Sequence, residues 1–256
     1  MKTKITSIIL ILVICCLSSC SVPDKAGGSD FFFWMNGYVA SPLNEEFTLS
    51  LTYYFKNIDY LEKNRIASFS FENCDAVIVD SFLQEDMNFG PNAIYRGHSF
   101  QLKIKYLKSG VFMVDKVKIN LKDGNDMIYP IGNWCFDIGE PQSKNAAIDT
   151  WGGVTSTGNA SEFAYSYTKR DSNCVVTQLK YGNGLSLDSK EGVSLQGKVK
   201  LEGEAPVKFI KTKLTVDDNG YTEIVYGHGC YCGSLGIDER DVQMALEHSQ
   251  QYFKLS

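Results

Sequence analysis

Apolar and polar residues alternate along several short segments of this chain, and this period of two constrains the fold more than any other feature. In the segment 47–55, FTLSLTYYF, every odd position is apolar or aromatic, while Thr48, Ser50 and Thr52 occupy even positions. Successive side chains of a β-strand point to opposite faces, so the pattern predicts a strand with one buried face. The same alternation recurs in the segments 100–106, 117–121, 163–167 and 211–216.

Turn-forming sequences separate these segments. They include Asp123-Gly124-Asn125, the YGNG of 181–184 and the DDNG of 217–220. Strands at regular spacing between such turns are typical of sandwiches, and the 15 Phe, 14 Tyr and 3 Trp can fill thin cores. The sequence therefore predicts an all-β fold.

The C-terminal tail differs from the rest of the chain. From Asp238 to about Phe253, Val242, Leu246 and Phe253 recur at helical spacing behind an aspartate that can cap a helix. We expect one short C-terminal helix.

The sequence also repeats within itself. At an offset of 95 residues, without gaps from Gly97 to Ile138, ten of 42 positions are identical. The identical pairs include Gly97/Gly192, Gln101/Gln196, Lys103/Lys198, Lys116/Lys211 and Cys135/Cys230. A period near 100 residues is the size of a domain and indicates a duplicated module. The predicted modules are residues 31–142 and residues 143–256, the second including the helix.

Each module offers about seven short strands in roughly 90 to 110 residues. This architecture resembles the bacterial immunoglobulin-like repeats of surface proteins, over most of residues 31–235. The resemblance implies two tandem immunoglobulin-like β-sandwich domains. It departs from antibody domains, whose cysteines flank a core tryptophan, because Trp34 and Trp151 precede both cysteines of their modules.

The N-terminus has the pattern of an export signal. Lys2 and Lys4 precede an apolar stretch from residue 5 to residue 17, which is too short to span a bilayer comfortably. The next residues, Leu17-Ser18-Ser19-Cys20, resemble the lipobox of bacterial lipoproteins. The resemblance implies that residues 1–19 are removed and that Cys20 carries a diacylglycerol. The alternative is an ordinary signal peptide with an incidental cysteine.

Two acyl chains on Cys20 would suffice for stable anchoring. Residues 21–30, SVPDKAGGSD, have the small and polar composition of a tether. The expected location is therefore the surface of a bacterial membrane, to which the lipid attaches the exported protein. The net charge of −5 and the lack of a Lys/Arg run argue against nucleic acid as a partner.

Four cysteines recur in the two modules. Cys74 and Cys135 of the first correspond to Cys174 and Cys230 of the second, which predicts one disulfide per module in an exported protein. Buried thiols are the alternative, since reduced cysteine behaves as a small hydrophobe.

The segment GHGCYCG, residues 227–233, carries three further candidate ligands. His228, Cys230 and Cys232 could hold zinc or copper if the glycines bent the chain, and a thiol redox role is a weaker possibility. The simplest interpretation is one half of a disulfide and a spare cysteine beside a tight turn.

No complete catalytic motif accompanies these residues. His98 opens a predicted strand, where an exposed edge position is expected, and His248 is expected to be solvated on the tail helix. We therefore expect no enzymatic activity and no cofactor. The favoured function is a membrane-anchored module that binds a protein or a glycan of the envelope, and the alternative is a metal-binding or thiol-handling lipoprotein. Residues 31–34, FFFW, are either a binding surface or a first strand packed into the core.

Overall fold

The computed structural model describes residues 30–87, 93–140, 148–154, 162–170, 174–182, 186–188, 194–218, 220–233 and 239–255. Within these ranges the chain forms fifteen strands and one helix, so the prediction of a mostly β fold with one helix at its end is confirmed. The strands of the first half are β1 (Asp30–Phe32), β2 (Met35–Pro42), β3 (Phe47–Phe55), β4 (Ile66–Phe71), β5 (Val77–Asp86), β6 (Arg96–Tyr106), β7 (Gly110–Leu121) and β8 (Asp126–Gly139). The second half contains β9 (Ile148–Val154), β10 (Glu162–Lys169), β11 (Cys174–Lys180), β12 (Ser186–Asp188), β13 (Ser194–Lys200), β14 (Val207–Asp218), β15 (Tyr221–Gly233) and the helix α1 (Glu239–Leu255).

The first half forms a sandwich with an immunoglobulin strand order. One sheet has the order β1-β3-β6-β5, and the strands facing it follow the order β2-β8-β7-β4. With β1 as strand A, these are the ABED and GFC sheets of a constant-type immunoglobulin domain. The strand β2 is added in parallel beside β8, the last strand of the domain.

The described residues of the second half repeat this arrangement with seven strands. A sheet of order β13-β10-β9 faces the strands β12, β11, β14 and β15, with β14 between β11 and β15. The pairing register also repeats. Phe47 lies opposite Ile104 in the first half, and Phe163 lies opposite Val199 in the second. The offset of 95 residues equates Ile104 with Val199, and Glu46-Phe47 recurs in the sequence as Glu162-Phe163.

The two halves share a sheet. Residues 35–39 of β2 pair in parallel with residues 207–211 of β14, while the other edge of β2 pairs with β8. One eight-stranded sheet therefore contains the seven strands β12-β11-β14-β2-β8-β7-β4 in this order, and β15 pairs with β14 as the eighth. The predicted count of two separate domains is not confirmed, since main-chain hydrogen bonds join the halves.

Two hydrophobic cores lie on opposite faces of this shared sheet. Along β2, Val39 belongs to the core of the first half, and its neighbour Tyr38 belongs to the core of the second. Along β14, Phe209 and Ile210 divide in the same way. The shared strands are thus buried on both faces.

Trp134 is the largest fully buried side chain of the first core. It lies on β8 opposite Gly37 of β2, and a Cβ added to Gly37 would lie 2.1 Å from Cε3 of the indole. Gly37 therefore leaves the space that the tryptophan ring occupies.

The helix α1 packs against the first half, although it ends the second. Ala245 is fully buried in the first core, and Val242 and Leu246 pack beside it. His248 stacks on Trp34 with ring centroids 4.1 Å apart and planes at 3°. His248 is therefore half-buried and not solvated as expected, and this burial lowers the pKa of its imidazole. Within the described residues, no helix combines the length and the apolar character needed to cross a membrane.

Candidate functional site

The segment 227–233 lies within strand β15. Its glycines therefore do not form the predicted tight turn, although Gly227 and His228 lie where the register between β14 and β15 shifts. His228 is exposed, whereas Cys230 and Cys232 are buried in the second core. No three histidine, cysteine or acidic residues in the described ranges are grouped to hold a metal. The structure thus does not assemble the metal site expected from these three residues.

Cys230 and Cys232 lie close to one another on the same face of β15. A hydrogen bond with Cys232, together with burial, raises the pKa of the Cys230 thiol. The thiolate is the reactive form of cysteine, so this environment suppresses nucleophilic and redox chemistry.

The predicted disulfide between Cys174 and Cys230 is not formed, and the register of β14 explains why. Cys174 lies opposite Asp218 on one edge of β14, and Cys230 lies opposite Ile210 on the other edge. Eight residues of strand span about 26 Å, at about 3.3 Å per residue. The Cα atoms of a disulfide lie within about 7 Å, so this pairing is wrong.

The second predicted pair, Cys74 and Cys135, is separated by the shared sheet. Cys74 packs against the first core, whereas Cys135 lies in the second. The described cysteines are all thiols in the structure. Cys74 and Cys174 are also not equivalent in the fold. Cys174 is the first residue of β11, and the counterpart of β11 in the first half is β4. Cys74 instead follows the end of β4.

Two other predicted features have clear outcomes. Phe31, Phe32 and Phe33 are buried in the first core, which agrees with the core interpretation of this segment and removes it as a binding surface. Cys20, the predicted lipidation site, lies outside the described residues.

His98 occupies a site that the sequence did not reveal. The ring is buried, not exposed at a strand edge as expected, and its Nε2 lies 2.7 Å from Asp59 Oδ2. Its Nδ1 lies 2.9 Å from Asp86 Oδ1. Burial alone would lower the pKa of His98, but the hydrogen bond to Asp59 and the charges of both aspartates outweigh it and raise the pKa. Aromatic rings close around the imidazole, so this group stabilises the first half rather than facing a cleft.

Asp137 forms a second buried ionic cluster, beside the shared strands. Its carboxylate accepts hydrogen bonds from Tyr38 at 2.7 Å and from Lys213 at 2.7 Å, and Lys180 lies 2.8 Å away. Burial alone would raise the pKa of Asp137, but these three donors outweigh it and lower the pKa. Asp137 and Tyr38 belong to the first half and both lysines belong to the second, so the cluster ties the halves together.

A cleft of about 340 Å³ opens next to this cluster, where the halves meet. Its floor is the second-core face of the shared sheet, and its walls include residues that follow β11 and β13. Residues of both halves line it: Asn36, Gly37, Tyr38, Met113, Asn133 and Cys135 from the first, and Tyr181, Gly182, Leu201, Glu202, Lys208 and Ile210 from the second. A concave site with an apolar lining and a few polar groups is the usual form of a small-ligand site.

Strand register places the floor residues in two rows. Asn36 and Lys208 lie side by side on β2 and β14, and Cys232, which does not line the cleft, lies next to Lys208 on β15. Tyr38 lies in the next row, beside Ile210. Burial beside Asp137 raises the pKa of the Cys135 thiol to about 11, so it lines the cleft as a neutral group.

Lys208 is the charged residue of this floor. The residue is 4% exposed, and its Nζ donates to the Leu201 carbonyl at 3.3 Å. Burial lowers the pKa of its ammonium group. A buried lysine in a cleft can bind an anion, or can act as an amine when its proton is lost.

Comparisons with known proteins leave the family open. No family model and no curated protein match the chain. Among solved structures, the fibronectin(III)-like modules of CbhA from Clostridium thermocellum are 11% identical, with 78% of this chain and 88% of that chain covered and a TM-score of 0.21. The D00-D0 domain of intimin is 10% identical, with 82% and 100% covered and a TM-score of 0.23. The secreted serine protease VesC from Vibrio cholerae is 11% identical, with 78% and 49% covered and a TM-score of 0.19. Similarity this low supports no conclusion about function.

Proposed function

We propose that this chain is an exported, lipid-anchored binding protein, without enzymatic activity, that holds a glycan or protein ligand in the cleft between its two halves. The observation that carries the proposal is the cleft itself, about 340 Å³ in volume and lined from both halves. Its floor is held in place by main-chain pairing of β2 with β14 and by the Asp137 cluster. A preformed site of this kind loses little entropy when a ligand binds.

The lining favours recognition through side chains. Tyr181 and Leu201 supply apolar surface, and Asn36, Asn133 and Glu202 supply amide and carboxylate groups. Both edges of β2 are already paired, as is the part of β14 beside it. A peptide therefore cannot add a strand here, and the ligand must be recognised by the face of the sheet.

The N-terminal sequence supports the anchor. The charged start, the apolar stretch and Leu17-Ser18-Ser19-Cys20 together resemble a lipoprotein signal. A Cys20→Ser variant should lose incorporation of labelled palmitate and should appear in the soluble fraction of an expressing bacterium. Cys16→Ser is the matched control, because Cys16 leaves with the signal, and it should stay membrane-bound. Equal incorporation of palmitate by both variants would contradict a lipid on Cys20.

Binding in the cleft can be tested with two matched variants. Met113 lines the cleft and is 52% exposed, while Leu83 is 49% exposed on β5, in the opposite sheet of the first half. Residues 21–256 would be screened against panels of envelope glycans and of peptides, and each hit measured by calorimetry. Met113→Glu should weaken binding at least tenfold, whereas Leu83→Glu should leave it unchanged. Equal effects of the two substitutions would place the ligand outside the cleft.

A further inference from the structure

Among the described residues, no carboxylate pairs with Lys208, in contrast to other lysines at the junction of the halves. Lys180 and Lys213 both contact Asp137, and Lys211 contacts Glu45 at 2.6 Å. In the part of the chain that the structure describes, the Lys208 ammonium donates to the Leu201 carbonyl, a neutral acceptor at 3.3 Å. Cys232 lies opposite Lys208 on β15, and its thiol is the ionisable group that acts on the pKa of Lys208. An ammonium group has three hydrogens to donate, so this one retains capacity for an anion.

A buried charge without a counter-ion destabilises a fold, and such groups are usually paired or functional. Lys208 lines the cleft, so a ligand that enters the cleft can reach the residue. Pairing with a ligand carboxylate would give a charge-assisted hydrogen bond, which is stronger than a bond between neutral groups.

The charges around the cleft favour an acidic ligand, although the chain has a net charge of −5. The Asp137 carboxylate is already held by Lys180 and Lys213, so this cluster presents no unneutralised negative charge. Glu202 lies exposed at the rim, while Lys208 lies in the floor. The deepest charge that a ligand meets is therefore positive.

The form of the cleft favours a sugar over a peptide. The edges of β2 and of the part of β14 beside it are occupied, so the floor of the cleft cannot pair with a peptide strand. The side-chain amides of Asn36 and Asn133 suit hydroxyl groups, and the ring of Tyr181 offers an apolar surface. The volume of about 340 Å³ suits one or two sugar rings better than a folded partner.

We propose that the cleft binds an acidic carbohydrate, with the carboxylate of a uronic acid paired to the ammonium group of Lys208. This inference rests on the proposed binding function and names the ligand class of the same site. Asn36 lies next to Lys208 across the strand pair. Its Oδ1 already accepts hydrogen bonds from Trp34 Nε1 and from the Asn133 main chain, so its amide NH2 group would donate to the sugar hydroxyls.

The test uses a glucuronate-containing disaccharide and its methyl ester, measured by calorimetry on residues 21–256. The ester keeps the shape of the sugar and removes its charge. The acid should bind at least tenfold more tightly than the ester, since a charge-assisted bond is lost. Lys208→Met should reduce binding of the acid to the level of the ester and should leave ester binding unchanged. Lys122→Met, at an exposed turn of the first half, removes the same charge and should have no effect.

Equal binding of acid and ester, or unchanged binding by Lys208→Met, would overturn the assignment of Lys208. A third outcome is that the protein binds peptides or neutral glycans, that Met113→Glu abolishes this binding, and that no uronate binds. This outcome would overturn the assignment of an acidic ligand and would leave the proposed binding function intact. Urea unfolding of each variant establishes that the fold is intact. Lys208→Arg keeps the positive charge, so this variant should retain more affinity for the acid than Lys208→Met.

Discussion

Tyr38 Oη donates a 2.7 Å hydrogen bond to Asp137 Oδ2, at the place where the two halves of the chain meet. The same carboxylate holds Lys180 and Lys213 of the second half. Tyr38 also lies in the floor of the cleft. One buried carboxylate therefore joins the halves and supports the proposed binding site.

Replacing Asp137 with asparagine should destabilise the fold strongly. The change leaves two lysines without their carboxylate, and breaking a buried ion pair from one side costs about 3 to 5 kcal/mol. The free energy of unfolding, measured in urea, should fall by roughly this amount. Asp126→Asn removes the partner of Lys118 at the surface, where both side chains are more than a third exposed, and should cost less than about 1 kcal/mol. Similar decreases in the free energy of unfolding for both variants would show that Asp137 does not form a buried ionic cluster that joins the two halves.

His98 should make the free energy of unfolding depend on pH. Its pKa is raised in the folded state, so its contribution is complete below the unfolded value of about 6.5 and is lost as pH rises through the folded pKa. The wild type should therefore lose stability relative to His98→Gln over a pH range that begins near the unfolded value of about 6.5 and extends above it. The pKa of His248 shifts in the opposite direction. Both proteins contain His248, so its contribution cancels in the difference between their free energies of unfolding. A constant difference between the two proteins across this range would contradict the raised pKa.

A side chain at Gly37 should weaken the pairing of β2 with β8. The added Cβ of Gly37→Ala would lie 2.1 Å from the Trp134 ring, which is fully buried and has little room to move. Overpacking of this kind costs about 1 to 3 kcal/mol, and thermal unfolding should show it. Gly124→Ala serves as a comparison, because Gly124 has a φ of 88° and open space around it. If Gly37→Ala lowers the temperature of unfolding no more than Gly124→Ala does, the close contact between Gly37 and the Trp134 ring is contradicted.

The cysteines should not form the two bridges that the repeat suggested. Register separates Cys174 from Cys230 by eight residues along β14, and the shared sheet separates Cys74 from Cys135. Peptide mapping of the exported protein, alkylated in denaturant without reductant, should recover all four as alkylated thiols. A peptide containing either bridge would contradict the packing of the two cores.

The sequence predicts strands well where one face of a strand meets a core. The alternating segments of β3, β6, β7, β10 and β14 have this environment over all or most of their length, and their period of two is visible. The strand β2 has cores on both faces, as does the first half of β14. Alternation disappears in a strand buried on both sides, so β2 went unpredicted and the shared sheet with it.

The candidate site could be predicted less well than the fold. GHGCYCG suggested ligands because histidine and cysteine are close in sequence, yet the strand buries the cysteines and exposes His228. The cleft combines residues as distant as Asn36 and Lys208, which only the pairing of β2 with β14 brings together. One local signal was available, since Lys208 lies between apolar residues in the buried run of β14.

The most direct test of the proposed cleft is methyl NMR of methionine-labelled protein, titrated with the glucuronate-containing disaccharide. Met113 lines the cleft, whereas Met127 packs beside the first core and serves as an internal reference. The account predicts a saturable shift of the Met113 methyl signal, absent in Lys208→Met, with the Met127 signal unmoved. Saturable binding that leaves Met113 unmoved, or no binding at all, would contradict an acidic-glycan site between the two halves.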